Sequence, residues 1–427
     1  MRLTASHCSS AIRSKEPTMK KYITIIVFTA LALSVVSCGG LIHGDQKAKP
    51  EFARDNPFDP GNTGPALFRE MSTTITPLCH GNAALGDFDN DGDLDLIITG
   101  TLTISAINGL TKTYMNNNGS FTEYNSGIPD GGPFASLAVG NINGDSFIDI
   151  YYTSGDQTNL IFTNNGSGMF AFAFALSNAG ATNFYSPAVA IGDVNGDGSN
   201  DIIQTGQSSP EIVAQILINV GGAQLSNIGN RGLSGVKSGS VILGDIDNDI
   251  DLDILLSGEN VSGAQVTKIF RNDGFANFTE SFAGQLTGAS NPSLLLIDID
   301  KDGFKDIVLA GGNGMFNLTI FKNTGNGFTV AKTFSYFTQT FLASCDIDND
   351  GDQDIIAPGA GISGDWQKCF IHQNNGNMQF TSLNLNENGY VKPVCGDIDG
   401  DGKQDIILVG SGTTSTPTAK VYKNYCP

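Results

Sequence analysis

Positive charge is scarce in this sequence of 427 residues. Lys and Arg together number 23 against 43 Asp and Glu, so the formal net charge is −20 at pH 7. Such a balance excludes a nucleic-acid binder, and it excludes a lipid-surface binder that relies on basic residues. Charged residues as a whole make up only 15% of the chain, while glycines number 53. Low charge with abundant glycine favours many short strands joined by tight turns over a helical bundle.

The residues of common catalytic centres are also rare. The chain has four His and one Trp, and no G-x-S-x-G, H-E-x-x-H or phosphate-binding loop occurs in it. A lyase acting on acidic polysaccharides would need a basic residue for proton abstraction and a cationic cluster to stabilise an enolate. The few Arg residues after the leader are scattered along the sequence. Trp366 is the one candidate for stacking against a sugar.

The acidic residues concentrate in seven windows of nine residues with the pattern D-x-D-x-D-G-x-x-D. These windows contain 28 of the 43 acidic residues, and they begin 48 to 54 residues apart. They are Asp87–Asp95, Asn141–Asp149, Asp193–Asp201, Asp245–Asp253, Asp298–Asp306, Asp346–Asp354 and Asp397–Asp405. Carboxylates packed this closely are unfavourable unless a cation lies among them. We number the windows, and the loops they form, from one to seven.

The spacing of the windows predicts a repeat array. A short apolar run precedes each window and another follows it, and about fifteen residues later comes an Asn-Gly or Asp-Gly hairpin in most repeats. Each repeat is therefore predicted to form four antiparallel strands, with the acidic loop joining the first strand to the second. Units of this kind are the blades of a β-propeller, so the sequence predicts an all-β, seven-bladed fold over residues 64–427.

The two ends of the repeat region predict a closed ring. The last repeat stops at AKVYKNYCP and lacks a fourth strand, while Ala66–Ser72 resembles the fourth strand of the following repeat. We therefore expect the N-terminal strand to complete blade seven and to remove an open sheet edge.

The windows offer only oxygen ligands, which suit a hard cation, and Ca²⁺ accepts such an irregular cage more readily than Mg²⁺. Carboxylates at positions 1, 3, 5 and 9 would surround the ion, and glycine at position 6 would permit the sharp turn. The alternative is Asp/Asn/Gly turn chemistry without metal; seven loops in phase favour calcium. An EF-hand is excluded because no window has Glu at position 12. The predicted ligands are Asp87, Asp89, Asp91, Asp93 and Asp95; Asn141, Asn143, Asp145 and Asp149; Asp193, Asn195, Asp197 and Asp201; Asp245, Asp247, Asp249 and Asp253; Asp298, Asp300, Asp302 and Asp306; Asp346, Asp348, Asp350 and Asp354; and Asp397, Asp399, Asp401 and Asp405.

Two of the seven predicted sites are expected to be weaker than the others. Loop two has neutral Asn141 and Asn143 and carries Ser146 at position 6. Loop four keeps its carboxylates but has Ile250 at position 6, where positive φ would cost a β-branched residue about 1–3 kcal/mol. Either loop four adopts another turn or it binds less well.

Seven such loops at this period resemble the FG-GAP/VCBS repeat family, whose best-known member is the head of the integrin α-subunit. The resemblance covers roughly residues 64–426. It implies a seven-bladed propeller with structural Ca²⁺ in the loops between first and second strands. The family includes adhesion modules, lectins and polysaccharide-active enzymes, so the resemblance does not fix the activity.

The N-terminal segment predicts export. We interpret residues 1–18 as an upstream extension, 19–37 as a lipoprotein signal peptide and 38–63 as a flexible tether, with Cys38 as the lipidated residue. An ordinary cleaved signal or an uncleaved anchor are the alternatives. We therefore expect a bacterial outer-membrane, cell-surface or periplasmic lipoprotein, or otherwise a secreted protein. Contact with the membrane is expected only through the lipid anchor.

Five cysteines remain after Cys38, an odd number. A bond between Cys345 and Cys395 on neighbouring inner strands is conceivable, but buried thiols are the favoured interpretation.

Two functions stay open from the sequence. The first is a calcium-stabilised binding or adhesion propeller, monomeric and without catalysis of its own, that presents its loops to a protein or glycan partner. The alternative is a polysaccharide-active lyase or dehydratase built on the same propeller.

Overall fold

The fold is seen in a computed structural model that describes eleven segments of the chain. These are residues 67–106, 108–131, 135–153, 158–181, 184–208, 210–312, 316–335, 341–359, 368–385, 389–412 and 416–426. The predicted extension, signal peptide and tether, and Cys38 with them, lie outside the described residues. No helix in the described segments is long and apolar enough to cross a membrane.

The described residues form seven four-stranded antiparallel sheets, as predicted. Six sheets follow chain order. Blade one contains β2 (Cys79–Gly86), β3 (Asp95–Thr101), β4 (Leu110–Asn117) and β5 (Ser120–Tyr124); blade two contains β6 (Leu137–Gly140), β7 (Asp149–Thr153), β8 (Asn159–Asn164) and β9 (Phe170–Ala175); blade three contains β10 (Tyr185–Gly192), β11 (Asp201–Ser208), β12 (Glu211–Asn219) and β13 (Leu225–Asn227). Blade four contains β14 (Lys237–Gly244), β15 (Asp253–Glu259), β16 (Gln265–Asn272) and β17 (Phe278–Ser281); blade five contains β18 (Ser290–Ile297), β19 (Asp306–Gly312), β20 (Phe316–Asn323) and β21 (Phe328–Phe334); blade six contains β22 (Ala343–Cys345), β23 (Asp354–Gly359), β24 (Lys368–Asn374) and β25 (Phe380–Asn384). A single 3-10 turn, Leu176–Ala179, follows β9 in the described chain.

Blade seven is assembled from both ends of the repeat region. Its strands are β26 (Gly389–Gly396), β27 (Asp405–Gly412), β28 (Pro417–Asn424) and, as the fourth, β1 (Phe68–Met71). Strand β1 pairs antiparallel with β28, and Phe68 lies opposite Asn424. The predicted closure of the ring by an N-terminal strand is confirmed.

The hydrophobic core lies between the blades. Leu96 and Ile98 of blade one share a buried cluster with Ile407 and Val409 of blade seven, and comparable clusters lie between other neighbouring blades. The second strand of each blade is covered on both faces, so all seven residues of β3 are buried. This explains why the run after each acidic window is continuously apolar instead of alternating. The acidic loops all follow first strands and therefore lie on one face of the propeller.

Candidate metal centres

Each acidic loop is folded around the side chain at its first position. In loop one, the N–H groups of Asp91 and Gly92 donate to Asp87, each at 3.1 Å. Positions 5 and 6 donate to position 1 in the same way in loops three, four, five, six and seven. This turn needs positive φ at position 6, where Gly92 has φ 98°. Loop two differs, because Asn141 accepts from Gly144 at position 4.

The ninth position is a buried carboxylate in every loop. Asp95 accepts the N–H of Phe88 on one oxygen and that of Asn116 on the other, each at 2.8 Å. Burial raises the pKa of this carboxyl to about 6, although the two N–H groups favour its ionised form. Burial also raises the pKa values of the six equivalent carboxyls, most of all that of Asp354, whose pKa is about 8. A group that resists ionisation when buried will ionise most readily beside a cation.

Five loops bring three carboxylates to one point. In each of these groups the ligand oxygens lie within 4.8 Å of one another. The groups are Asp87, Asp89 and Asp95; Asp245, Asp247 and Asp253; Asp298, Asp300 and Asp302; Asp346, Asp348 and Asp354; and Asp397, Asp399 and Asp405. The remaining predicted ligands of these loops are position-5 or position-9 carboxylates, apart from Asp93. The Asp93 carboxylate accepts the N–H of Asn118 at 2.9 Å, so this residue serves the neighbouring turn.

The third-position carboxylates favour cation binding most clearly. Oδ1 of Asp89, of Asp300 and of Asp399 is buried and has no hydrogen-bond partner in the described structure. An unpaired buried carboxylate oxygen is costly. Three oxygens of this kind, each pointing into a cluster of carboxylates, fit a hard cation with oxygen ligands.

Loops two, three and four depart in different ways from the complete acidic pattern. The described carboxylates of loops two and three form no group of three, since Asn143 and Asn195 occupy position 3. Loop four does form a group, and Ile250 sits at φ 83° with its N–H donating to Asp245, as glycine does elsewhere. Of the two expectations for loop four, an altered turn is therefore wrong. The isoleucine takes the strained conformation and exposes 89% of its surface.

Three of the loops also contain a basic side chain that the sequence analysis did not assign to them. Lys322 forms ion pairs with Asp300 and, at 3.0 Å, with Asp302. Lys423 does the same with Asp399 and, at 3.2 Å, with Asp401. Arg271 pairs with Asp247 in loop four. Each of these three residues is followed directly by an asparagine that ends a third strand. In blade one the residue before the corresponding asparagine, Asn116, is Met115.

The comparisons with known proteins agree with this architecture. A model of the FG-GAP-like repeat matches residues 141–204, 298–357 and 346–408. The chain carries FG-GAP-like repeats. The matched segments include loops two, three, five, six and seven, so the match extends to the two loops with a reduced set of carboxylates.

Curated relatives match part of the chain. Cartilage acidic protein 1 of Homo sapiens is 25% identical over 278 residues, which are 61% of this chain and 36% of that protein. The Xenopus tropicalis protein of the same name is 27% identical over 197 residues, or 44% of this chain and 30% of its own length. The chain thus spans about a third of these relatives. Among solved structures, a variant of the Aleuria aurantia lectin with alpha-methyl-L-fucoside aligns at 10% identity with a TM-score of 0.45. The alignment covers 79% of this chain and 98% of the lectin chain.

A ring of seven buried asparagines connects the FG-GAP loops and was missed by the sequence analysis. Each lies at or one residue before the end of a third strand, and its side-chain amide donates to the carbonyl at position 2 of the loop in the preceding blade, at 2.5 to 2.8 Å. We name these residues the latch asparagines: Asn116, Asn164, Asn219, Asn272, Asn323, Asn374 and Asn424. The backbone N–H of the same residue holds the ninth-position carboxylate of its own blade. Each latch therefore couples two neighbouring metal loops.

One cysteine prediction is wrong. Cys345 of β22 and Cys395 of β26 form a disulfide, with Cα atoms 6.6 Å apart, instead of two buried thiols. The closing of the ring brings these two inner strands side by side. Cys79, Cys369 and Cys426 are buried and take no part in this bond.

Proposed function

We propose that this chain is a calcium-stabilised, extracytoplasmic binding propeller, anchored to a bacterial envelope through Cys38, that presents its loops to a protein or glycan partner. The observation that carries the proposal is the set of unpartnered buried oxygens in the carboxylate clusters, repeated in register around the ring. The FG-GAP-like repeats and the seven-bladed fold support a binding or adhesion role.

Calcium would act as a structural element. The five carboxylate groups would hold it most tightly, and loops two and three would offer amide oxygens in place of the third-position carboxylate. The bound ion would neutralise the clustered charge and fix the loop on which the next blade's latch asparagine depends. Loss of calcium would then loosen the contacts between blades as well as the loops themselves.

The face of the propeller that carries the acidic loops, which we name the calcium face, also offers a surface for a partner. Ile250 keeps a backbone conformation that glycine would adopt without strain, and it is almost fully exposed. Phe275, in the β16–β17 turn on the same face, exposes 76% of its surface. Gly274 in this turn adjoins Asp251 of loop four, so the two apolar side chains belong to neighbouring loops. A strained and exposed apolar residue is better explained by an interaction than by stability.

Two experiments test the proposal. Isothermal titration of the chelated protein with calcium should give at least five ions per chain, and an Asp87→Ala, Asp89→Ala variant should bind one fewer. An unchanged number of ions would contradict the metal assignment. Capture of partners from the native cell envelope should depend on calcium. It should be weaker for Ile250→Gly, a variant that relieves the backbone strain and removes the exposed side chain. Equal capture by this variant would contradict partner binding at the calcium face.

A further inference from the structure

The inner strands meet at the axis of the propeller in one layer of side chains. These side chains lie five residues before the first position of each acidic loop, and they line a cavity of about 130 Å³. They are Asn82, Ser136, Ala188, Ser240, Ser293, Phe341 and Lys392. Six of the seven are uncharged, so Lys392 alone sets the charge of this layer.

Lys392 is buried, and no carboxylate in the described part of the chain pairs with it. It is only 9% exposed, its ammonium donates to Oδ1 of Asn82, and it lies 6.0 Å from the centre of the Phe341 ring. Desolvation is the one cause that shifts its pKa, which falls to about 8, so no described carboxylate is close enough to compensate the charge. The side chain is still mostly protonated at neutral pH.

A buried ammonium with one neutral acceptor is an unfavourable arrangement. Such a group has three hydrogens to donate, and Asn82 accepts one of them. The cavity is lined by further hydroxyls. Ser293 Oγ accepts the N–H of Leu342 at 2.9 Å, which leaves its own hydrogen available to a ligand. Phe341 exposes 38% of its surface and gives the cavity an apolar rim.

We propose that the axial cavity is a binding site for a small monocarboxylate, whose anionic oxygens are held by Lys392 and Ser293 while its apolar end contacts Phe341. One ammonium matches a single negative charge better than it matches a phosphate dianion. A cavity of about 130 Å³ is several times larger than the space that one water needs, which is sufficient for a carboxylate with a short substituent. The site lies among first-strand residues, away from the acidic loops, and the inference goes beyond the proposed calcium function.

The test uses acetate as the probe, with the calcium-saturated protein and with inorganic phosphate and chloride as competing anions. Titration calorimetry should show one saturable acetate site in the wild type, binding at least tenfold weaker in Lys392→Met and unchanged in Lys332→Met, a matched variant of an exposed lysine in β21. Equal binding by Lys392→Met, or no saturable site in the wild type, would overturn the proposal. Tighter binding of phosphate than of acetate would overturn the assignment to a monocarboxylate.

A second measurement keeps the proposal testable if Lys392→Met does not fold. Reductive methylation of the wild-type protein, followed by mass spectrometry of its peptides, reports the accessibility of each lysine. Saturating acetate should slow modification of Lys392 several-fold and leave Lys332 unaffected. Equal rates at Lys392 with and without acetate would contradict binding. Calcium is saturating in all of these acetate experiments. A negative acetate result would therefore contradict the axial site without contradicting the proposed calcium sites, which are tested separately by calcium titration.

Discussion

Replacement of one latch asparagine should weaken the ring measurably. The Asn116 side chain donates to the Ile398 carbonyl of blade seven at 2.8 Å and to the Leu94 carbonyl at 3.1 Å, and it accepts the N–H of Gly119 at 2.9 Å. Asn116→Ala removes all three hydrogen bonds and leaves buried carbonyls without a partner. At about 0.5–1.5 kcal/mol for each bond, the variant should lose about 2–4 kcal/mol of unfolding free energy.

The neighbouring residue provides a matched control for this measurement. Asn117 follows Asn116 in β4 but is exposed, and its side chain accepts only from Asn118, at 3.2 Å. Calorimetric melting in excess calcium should show Asn116→Ala lower by several degrees and Asn117→Ala close to the wild type. The loss should be smaller in chelator, because the loop that carries the Ile398 carbonyl is then already loosened. Equal melting of the two variants would refute a structural role for the latch.

Three further predictions concern charge, pH and the disulfide. Lys322→Met should tighten calcium binding at loop five by about 1 kcal/mol, or about fivefold, because it removes a screened positive charge beside Asp300. Lys332→Met should leave the calcium affinity unchanged, and calorimetric titration of the two variants measures the difference. In chelator, the melting temperature should rise as the pH falls from 8 to 5. The ninth-position carboxyls have pKa values of about 6 to 8 in the folded state against 3.8 in the unfolded state, so the folded state binds more protons in this range. A flat or opposite profile would contradict burial of these groups without metal. Peptide mapping without reductant should recover Cys345 linked to Cys395, and Cys395→Ser should cost up to about 4 kcal/mol, the chain-entropy value for a loop of 50 residues.

The repeat determines how much of this fold the sequence could predict. Strand number, loop position and ring closure follow from a period of about 50 residues and from one missing strand, since these depend on local patterns that recur seven times. The carboxylate clusters were predictable for the same reason, because their ligands lie within nine residues of one another. The hydrogen bond from Asn118 to Asp93 was not predicted, because Asn118 belongs to the hairpin that follows and lies 25 residues away.

Contacts between blades were not predicted from the sequence. The latch asparagines were given no role from the sequence, because their side chains bind carbonyls 75 to 78 positions away in six of the seven blades. Lys392 lies in an apolar strand whose pattern does not show that its side chain reaches the axis. The signal that would have found the latches was present: an asparagine ends the third strand in every repeat.

The junction where the two ends of the repeat region meet is stabilised by several kinds of contact. Between most blades a continuous chain keeps neighbours together, but blade seven depends on the pairing of β1 with β28 across the ends of the repeat region. The disulfide joins blade six to blade seven, and the Asn116 latch joins blade seven to blade one. Loops six, seven and one all form three-carboxylate groups, as loops four and five do on the opposite side of the ring. Cation binding would therefore stabilise the junction at which a propeller is easiest to open as well as the rest of the ring.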